Sequence, residues 1–272
     1  MTEYNQNQHE SRICSVLVSV ANIHKEPEYK TEIITQTLLG EQLKIFERNE
    51  SWLRVSQWDG YEGWINSSAV TEKETPMGTS HTVADLLNGV HAERNNSSPI
   101  LRDLVFGNEL VVLGQENGWS RVILPDGIKG WTNASWQSDP ENDLRSHIVK
   151  TAGRFLGIQY LWGGKSPKGF DCSGFIQTVM HSVGINLPRD AYQQEQVEFL
   201  RESTLLAVEP GDLIFFRTGE GKTDHVAIAL GEMEIIHSSG FVKIESLDEK
   251  NENYNHHLSE HISTVKSIQN YC

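Results

Sequence analysis

An internal repeat in the first half of the chain restricts the folds that this sequence can adopt. Residues 40–68 align without a gap with residues 107–135, at a constant offset of 67 positions. The matched pairs are Gly40/Gly107, Leu43/Leu110, Trp52/Trp119, Arg54-Val55/Arg121-Val122, Asp59-Gly60/Asp126-Gly127, Gly63-Trp64/Gly130-Trp131 and Asn66/Asn133. Because a repeat of this kind marks one structural unit that occurs twice, the first half is predicted to hold two copies of one small domain.

Each repeated unit has the pattern of several short β-strands. Polar and apolar residues alternate in 41–47 and again in 52–56, which is typical of strands with one buried face. Asp59-Gly60 is a hairpin-turn dipeptide, and a further strand begins at Gly63. Short strands and frequent turns favour small β-barrels, and the pattern resembles bacterial SH3-like (SH3b) domains.

Most of the matched positions are interpreted as structural, and the differences between the units are more informative. We expect the repeated tryptophans Trp52, Trp64, Trp119 and Trp131 to lie in the barrel cores. Glu32 aligns with Pro99, and Tyr61 aligns with Ile128. If only the first barrel faces a ligand, Glu32 and Tyr61 are the positions where the difference would be found.

Two polar breaks divide the chain into three predicted domains. The segment Thr71–Ser80 contains proline and glycine, and Ser138–Asp143 forms the second break. We predict a first SH3b domain with an N-terminal extension in residues 1–72, a second in 73–138, and a third domain in 139–272. Asp143 is placed to cap a helix that begins next to it.

Charge and cysteine content limit the partners and the compartment. The net charge of −14 disfavours nucleic acid and anionic membranes. The chain has no run of 18 apolar residues, and Met1–Glu10 does not resemble a secretory signal, so we expect a cytoplasmic, monomeric protein without a membrane partner. Three cysteines do not form a disulfide framework, and we expect Cys14 and Cys272 to be inert.

The remaining cysteine, Cys172, lies in a setting that suits a nucleophile. Apolar residues at helical spacing follow it, and a glycine-containing loop precedes it, so Cys172 is predicted to begin a helix. The unpaired N–H groups at a helix start favour negative charge and would lower the pKa of a thiol. A buried, inert cysteine is the alternative interpretation.

Two histidines are predicted to come together near this cysteine. The strands that begin at His225 and end near His237 fold as a hairpin about Gly231-Glu232, which brings the two rings within about one register step. A thiol, a base and an orienting group form the arrangement of activated-nucleophile catalysis. Zinc binding by Cys172, His225 and His237, or by His256, His257 and His261, is the weaker alternative, since no further metal motif supports it.

Several short motifs in the last domain resemble one peptidase family. They are Asp171-Cys172-Ser173-Gly174-Phe175, Leu187-Pro188-Arg189-Asp190, Pro210-Gly211-Asp212-Leu213, His225-Val226-Ala227-Ile228 and His237-Ser238. In this order they resemble the NlpC/P60 family over about residues 143–272. The resemblance implies an α+β, papain-like fold with Cys172 as nucleophile, His225 as base and His237 as orienting residue. It implies no cofactor and no metal.

With two SH3b units ahead of it, the chain resembles the family's γ-D-glutamyl-L-diamino acid endopeptidases, which act on murein peptides with a free N-terminal L-alanine. The resemblance implies an L-Ala-γ-D-Glu-diamino acid substrate whose ammonium group is held by Asp171, Glu32 and Tyr61. Further implied pocket residues are Tyr160, Trp162, Ser173 and Asp190. The family often has serine after the Arg-Asp pair, whereas this chain has Ala191, which puts one polar contact in doubt.

Three functions are therefore compared. The leading hypothesis is an intracellular peptidase of cell-wall peptide recycling. A secreted hydrolase that uses its SH3b domains to grip intact wall is the second, and the N-terminal sequence counts against it. A non-catalytic peptide-binding protein is the third, and the intact set of Cys172, His225 and His237 counts against that. The sequence leaves open whether the diamino acid is diaminopimelate or lysine.

Overall fold

The structure, a computed structural model, describes residues 12–138, 143–219 and 221–269. Met1–Glu10, Cys272 and residues 139–142 of the second break lie outside the described residues, so the expectations for them stay predictions. The chain forms two small all-β units followed by a larger unit with helices, and this confirms the α+β fold class. No helix in the described ranges is long and apolar enough to cross a bilayer.

The two all-β units, called barrel one and barrel two, contain equivalent strands. Barrel one has β1 (Arg12–Val16), β2 (Val20–His24), β3 (Ile33–Leu38), β4 (Gln42–Asn49), β5 (Trp52–Ser56), β6 (Glu62–Asn66) and β7 (Val70–Thr71), with a 3-10 turn at Ser67–Ala69. Barrel two has β8 (Ser80–Thr82), β9 (Leu87–His91), β10 (Ile100–Val105), β11 (Glu109–Glu116), β12 (Trp119–Ile123) and β13 (Lys129–Thr132). The sheet orders are β3-β2-β6-β5-β4-β1-β7 and β10-β9-β13-β12-β11-β8, so equivalent strands have equivalent neighbours.

The sequence repeat is therefore a structural repeat. Strands β2 to β5 recur as β9 to β12, with both ends of each strand displaced by the same offset. The two Asp-Gly turns match as well, because Asp59 Oδ1 accepts from the N–H of Tyr61 at 2.9 Å and Asp126 Oδ1 accepts from that of Ile128 at 3.1 Å. Gly60 has a φ of 80°, which a glycine adopts without a steric penalty.

The prediction that all four repeated tryptophans lie in the barrel cores is wrong for three of them. Trp52 is buried, but Trp64, Trp119 and Trp131 are only half-buried. The reason is the alternation of side chains along a strand: Gly63 and Ile65 point inward, so Trp64 between them points outward. The barrel cores consist instead of smaller aliphatic side chains such as Ile23 and Val55.

The third unit, called the catalytic domain, packs helices against an antiparallel sheet. Its helices are α1 (Leu144–Gly153), α2 (Cys172–His181), α3 (Ala191–Glu195) and α4 (His256–Glu260). Its strands are β14 (Lys165–Ser166), β15 (Gly169–Phe170), β16 (Arg201–Ser203), β17 (Leu213–Phe216), β18 (His225–Gly231), β19 (Glu234–Ser239), β20 (Phe241–Ser246) and β21 (Ile262–Ser267), with a 3-10 turn at Leu205–Ala207. The main sheet has the order β16-β21-β17-β18-β19-β20. As predicted, Asp143 caps α1, accepting from the N–H of Ser146 at 3.0 Å.

Both barrels are joined to the catalytic domain by buried contacts. In barrel one, the Gln36 side chain accepts from the N–H of Lys165 at 3.1 Å, and Asp59 accepts from Gln177 Nε2 at 2.8 Å. In barrel two, the ring of Phe106 lies edge-on to Phe155, with the centroids 5.1 Å apart, inside the core of the catalytic domain. These contacts hold barrel one beside the start of α2.

Candidate active site

Cys172 is the first residue of α2, as the sequence predicts. Asp171 is the N-cap of this helix and accepts from the N–H of Gly174 at 2.7 Å. Gly174 permits a close approach, because a Cβ atom there would lie 2.1 Å from the carbonyl oxygen of Gly164. The start of α2 therefore packs directly against the preceding loop. Cys172 lies next to the residues that begin β18. The Sγ atom lies 3.8 Å from the carbonyl oxygen of Asp224.

The expected lowering of the Cys172 pKa is not found. Burial, together with the neighbouring charge of Asp171, raises the pKa of this thiol to about 12. The helix start has little effect here, since Asp171 brings its own negative charge to it and takes one of its free N–H groups. In the ligand-free protein the thiol is therefore protonated, and a base has to remove its proton during the reaction.

The β18–β19 hairpin brings the two predicted histidines together. Ile228 pairs with Ile236, so His225 and His237 lie diagonally on one face of the sheet. His225 Nε2 and His237 Nδ1 are 2.7 Å apart. His237 therefore occupies Nε2 of His225, and the second ring nitrogen of His225 is Nδ1. Burial and the neighbouring His237 lower the pKa of His225 to about 3, which keeps its ring neutral in the resting protein.

A further residue of this chain of contacts, Glu245, was missed from the sequence. Its Oε2 atom lies 2.8 Å from His237 Nε2, and the hydrogen bond from His237 is the main reason that its pKa falls to about 2. Glu245 lies on β20, which the sequence reasoning did not identify as a strand. The sequence did contain a signal for this strand. Polar Lys243 and Glu245 alternate with apolar residues in a segment that follows a predicted strand.

A cleft of about 390 Å³ opens at Cys172, between the catalytic domain and barrel one. Barrel two contributes none of the residues that line it within the described chain. All seven pocket residues expected from the sequence line the cleft with Cys172. The full lining is Glu32, Ile34, Tyr61, Tyr160, Trp162, Asp171, Cys172, Ser173, Arg189, Asp190, Ala191, Tyr192, Thr223 and Asp224.

Asp171 is not placed to hold an ammonium group, in contrast to the sequence-based expectation. Its two oxygens accept from both Nη atoms of Arg189, and from the N–H groups of Gly163 and Gly174. The carboxylate is 10% exposed and the guanidinium 2%, so this is a buried ion pair. With four strong donors within the chain, Asp171 serves as the partner of Arg189 and as a helix cap. Arg189 also donates to Thr35 of barrel one at 2.9 Å.

The available carboxylates of the cleft are Asp190 and Glu32. The hydroxyl of Tyr61 lies 3.2 Å from Asp190 Oδ1, and burial raises the pKa of both side chains. Glu32 accepts from Trp162 Nε1 at 3.0 Å, and its other oxygen lies 3.4 Å from the exposed ammonium of Lys25. Tyr61–Asp190 and Glu32–Trp162 are therefore two contacts between barrel one and the catalytic domain, at one acidic end of the cleft.

The other expected pocket residues lie close to the sulfur. Ser173 accepts from Arg189 Nη1 at 2.9 Å, and its hydroxyl donates to Asp171 Oδ1 at 3.4 Å. Burial and the proximity of Cys172 raise the pKa of Tyr160 to about 12, so its phenol is protonated and can donate. Ala191 lines the same wall and offers no polar group, consistent with the doubt raised by the sequence.

The histidines near the C-terminus do not form a metal site in the structure. His261 Nδ1 lies 2.7 Å from the carbonyl oxygen of His257, and His256 Nδ1 is 3.2 Å from Glu260. Across the described residues, no three side chains of histidine, cysteine, aspartate or glutamate are grouped to hold a metal ion.

Comparison with known proteins agrees with this architecture. The NlpC/P60 family matches residues 157–262, the bacterial dipeptidyl-peptidase Sh3 domain matches 23–70, and the bacterial SH3 domain matches 87–136. Fold and site thus define a cysteine peptidase preceded by two bacterial SH3 domains. The chain belongs to the NlpC/P60 family.

Individual relatives extend the match to almost the whole chain. Dipeptidyl-peptidase 6 of Lysinibacillus sphaericus is 29% identical over 93% of this chain and 98% of its own. A γ-D-glutamyl-L-lysine dipeptidyl-peptidase of Bacillus subtilis is 32% identical over 76% of this chain and 72% of its own. The crystal structure of an NlpC/P60 family protein from Bacillus cereus superposes with a TM-score of 0.79, covering 93% of this chain and 98% of the other. At 22% identity, that likeness establishes the fold.

Proposed function

We propose that this protein hydrolyses the bond between γ-D-glutamate and a diamino acid in short murein peptides with a free N-terminal L-alanine. The observation that carries the proposal is the acidic end of the cleft, where Glu32 and Tyr61 of barrel one meet Asp190 beside the nucleophile. Relatives named as γ-D-glutamyl-L-lysine dipeptidyl-peptidases support the same class of substrate.

The charges of the cleft favour a cationic group in that end. Arg189 and Asp171 neutralise each other, whereas within the described residues the side chain that hydrogen-bonds Asp190 is the neutral phenol of Tyr61, and Arg189 acts on Asp190 electrostatically. An ammonium group would supply the missing positive charge and form charge-assisted hydrogen bonds with Asp190 and Glu32. Uncut wall polymer lacks a free α-ammonium, so this end would select short peptides. The role assigned to Asp171 from the sequence is therefore transferred to Asp190.

The reaction follows from the positions of Cys172 and His225. His225 Nδ1 takes the thiol proton as the sulfur attacks the γ-carbonyl carbon of D-glutamate. The oxyanion faces the start of α2, where the N–H of Cys172 has no partner in the first helical turn and can stabilise it. The carbon–nitrogen bond then breaks, and the imidazolium gives its proton to the leaving amine. Water, deprotonated by His225, adds to the thioester carbonyl; the carbon–sulfur bond then breaks, the imidazolium returns its proton to the sulfur of Cys172, and L-Ala-γ-D-Glu is released.

Holding the ammonium group fixes the distance to the bond that is cut. L-alanine and the γ-linked D-glutamate span from the acidic end to the sulfur, so the γ-carbonyl group is placed next to Cys172. We further propose that the protein acts in the cytoplasm, in the recycling of cell-wall peptides, because such short free peptides are products of wall breakdown. The experiment also has to determine whether the diamino acid is lysine or diaminopimelate.

The proposal is tested with three substrates: free L-Ala-γ-D-Glu-diamino acid, with either lysine or diaminopimelate, its N-acetylated form, and intact sacculi. We expect cleavage of the free tripeptide alone, with loss of all cleavage in Cys172→Ala. Comparable cleavage of sacculi would contradict the proposal and favour a wall-degrading hydrolase. Binding of the tripeptide without turnover would also contradict the proposal and would favour a non-catalytic peptide-binding protein.

Replacement of Glu32 tests the ammonium site directly. Glu32→Ala is expected to raise KM for the free tripeptide about 10-fold or more, since one charge-assisted hydrogen bond is lost. Glu47→Ala, which removes an exposed carboxylate on β4 of the same barrel, is the control and should leave KM unchanged. An unchanged KM in Glu32→Ala would remove Glu32 from the site.

A further inference from the structure

The face of the β18–β20 sheet that carries His225 and His237 also carries Glu245, which extends their chain of contacts. His237 Nδ1 faces His225, and His237 Nε2 faces Glu245 Oε2 at 2.8 Å. His237 is 1% exposed, so water does not compete for either of its nitrogens. Each ring nitrogen of His237 therefore has one partner, and the partners decide which nitrogen carries the proton.

Three neighbours fix Glu245 as an acceptor. Lys243 Nζ donates to Oε1 at 2.8 Å, and Asn255 Nδ2 donates to Oε2 at 2.6 Å. Asn255 cannot turn its amide around, because its Oδ1 atom accepts from the N–H of Leu258 at 2.9 Å as the cap of α4. With two donors besides His237, the Glu245 carboxylate is held in its ionised form and has no proton to give.

The proton positions then follow along the chain of contacts. An ionised Glu245 requires a proton on His237 Nε2, which leaves Nδ1 of a neutral His237 as an acceptor. That acceptor requires a proton on His225 Nε2, and so a neutral His225 has its lone pair on Nδ1. We infer that Glu245 is a positioning residue that sets the proton on Nε2 of both histidines, so that Nδ1 of His225 is free to deprotonate Cys172.

This inference rests on the proposed cysteine peptidase chemistry. It explains why the proton-accepting nitrogen of His225 is Nδ1. The opposite proton placement, with hydrogen on His225 Nδ1, would leave the thiol without an acceptor. The charge of Glu245 also stabilises the imidazolium that forms on His225 when the thiol proton is transferred. Asp224 before β18 and Lys243 on β20 act electrostatically on His225, and Asp171 and Arg189 act on Cys172 at the start of α2.

The proton positions are measured first in the unmodified protein. Nitrogen NMR spectra of the histidine rings at neutral pH should show His225 and His237 both protonated on Nε2 and not on Nδ1. Assignment comes from loss of the respective signals in His225→Gln and His237→Gln. A neutral His225 with its proton on Nδ1 would overturn the inference whether or not any Glu245 variant folds.

The second measurement is alkylation of Cys172 by iodoacetamide as a function of pH, in Cys14→Ser/Cys272→Ser protein so that one thiol is followed. Glu245→Gln keeps the size of the side chain and removes its charge. We expect its alkylation rate at pH 7 to fall about 100-fold, which is less than the roughly 10⁴-fold loss for a triad carboxylate that contacts the base directly, because Glu245 acts through His237. We also expect the remaining rate to rise with hydroxide concentration, as for a thiol without a base, whereas the rate of the parent protein stays level near neutrality.

Glu234→Gln is the matched control, since it removes one carboxylate from β19 at the end remote from the histidine pair. It should keep the alkylation profile of the parent protein. Glu245→Asp retains the charge and should recover part of the rate. A Glu245→Gln profile equal to that of the parent would overturn the inference. Because alkylation needs no peptide, failure to cleave the tripeptide would refute the proposed substrate and leave this result valid.

Discussion

Burial determines the ionisation of Cys172 more strongly than its position at a helix start. The sequence locates the thiol at the first residue of α2, where free N–H groups favour a thiolate. Desolvation acts in the opposite direction and raises the pKa of Cys172 to about 12. The same desolvation lowers the pKa of His225 to about 3, so the resting pair is a neutral thiol and a neutral imidazole. Proton transfer therefore accompanies attack on the substrate.

The buried ion pair of Arg189 and Asp171 lies at the start of α2, beside Cys172. Arg189→Met leaves the Asp171 charge buried without its partner, which we expect to lower the free energy of unfolding by about 3–5 kcal/mol. Urea denaturation measures the change. Adding Asp171→Asn, which can still cap α2, should recover part of the loss.

The surface pair of Arg54 and Glu62, 2.9 Å apart, supplies the control for that experiment. Both side chains are almost half exposed, so Arg54→Met should cost less than about 1 kcal/mol. Equal effects of the two arginine substitutions would show that burial adds nothing to the Arg189 pair.

At the scale of elements, the β18–β19 hairpin determines the geometry of the catalytic histidines. The connection is two residues long, and both Glu232 and Met233 have positive φ, at 48° and 64°. Such a turn matches the twist of the strands and fixes their register. His225 and His237 therefore meet on one face, and β20 adds Glu245 to the same face.

Two titratable side chains on these strands, His225 on β18 and Glu245 on β20, should make the protein less stable in acid. The pKa of His225 is lowered from 6.5 to about 3, so the unfolded chain binds a proton there that the folded chain refuses, and stability falls as pH falls from 6.5 toward 3. The pKa of Glu245 is lowered from 4.5 to about 2, so its contribution is present above pH 4.5 and is lost as pH falls toward 2.

Both groups act in the same direction, and thermal unfolding between pH 7 and pH 3 measures the sum. The midpoint should decline from about pH 6.5 downward, and His225→Gln should flatten the decline between pH 6.5 and 4.5. A midpoint that rises on acidification, or a His225→Gln curve parallel to that of the parent, would contradict this assignment.

At the scale of the whole molecule, barrel one lines the cleft beside Cys172, and barrel two packs against the catalytic domain away from that cleft. Barrel one supplies Glu32 and Tyr61 to the cleft, whereas barrel two packs Phe106 into the core of the catalytic domain. The contact between barrel one and the catalytic domain is close at Gly163, where a Cβ atom would lie 2.5 Å from the carbonyl oxygen of Ile33. Ile33 is the neighbour of Glu32, so this contact sets the depth of the acidic end.

Gly163→Ala is expected to push Ile33 and Glu32 away from the cleft. KM for the free tripeptide should rise about 10-fold, as one charged contact is weakened, while alkylation of Cys172 changes little. Gly127→Ala in barrel two is the control: it has a similar positive φ of 89° but nothing within 4 Å of its Cβ position. A fall in the alkylation rate of Cys172 in Gly163→Ala would contradict this expectation. It would mean that the loop containing Gly163 had moved, and not barrel one.

Patterns local in the chain allowed much of this to be predicted from the sequence. The repeat predicted two equivalent barrels, and hairpin and helix signals located Cys172, His225 and His237 on their elements. Glu245 escaped prediction because its relation to His237 arises only when β20 pairs with β19. The contacts of Asp171 were not foreseen because its partner Arg189 lies 18 residues further along the chain. The exposure of Trp64, Trp119 and Trp131 depended on which face of β6, β12 and β13 each barrel buries.

The sequence by itself determined the elements, their order and the reactive side chains, because hydrophobic period, turn residues and repeats act between near neighbours. The tertiary structure alone decided the ionisation of Cys172, the pairing of Asp171 with Arg189, and the union of Glu32 and Tyr61 with Asp190. The physical reason is that desolvation and electrostatic pairing depend on which groups share a buried volume, and folding brings those groups together from separate parts of the chain.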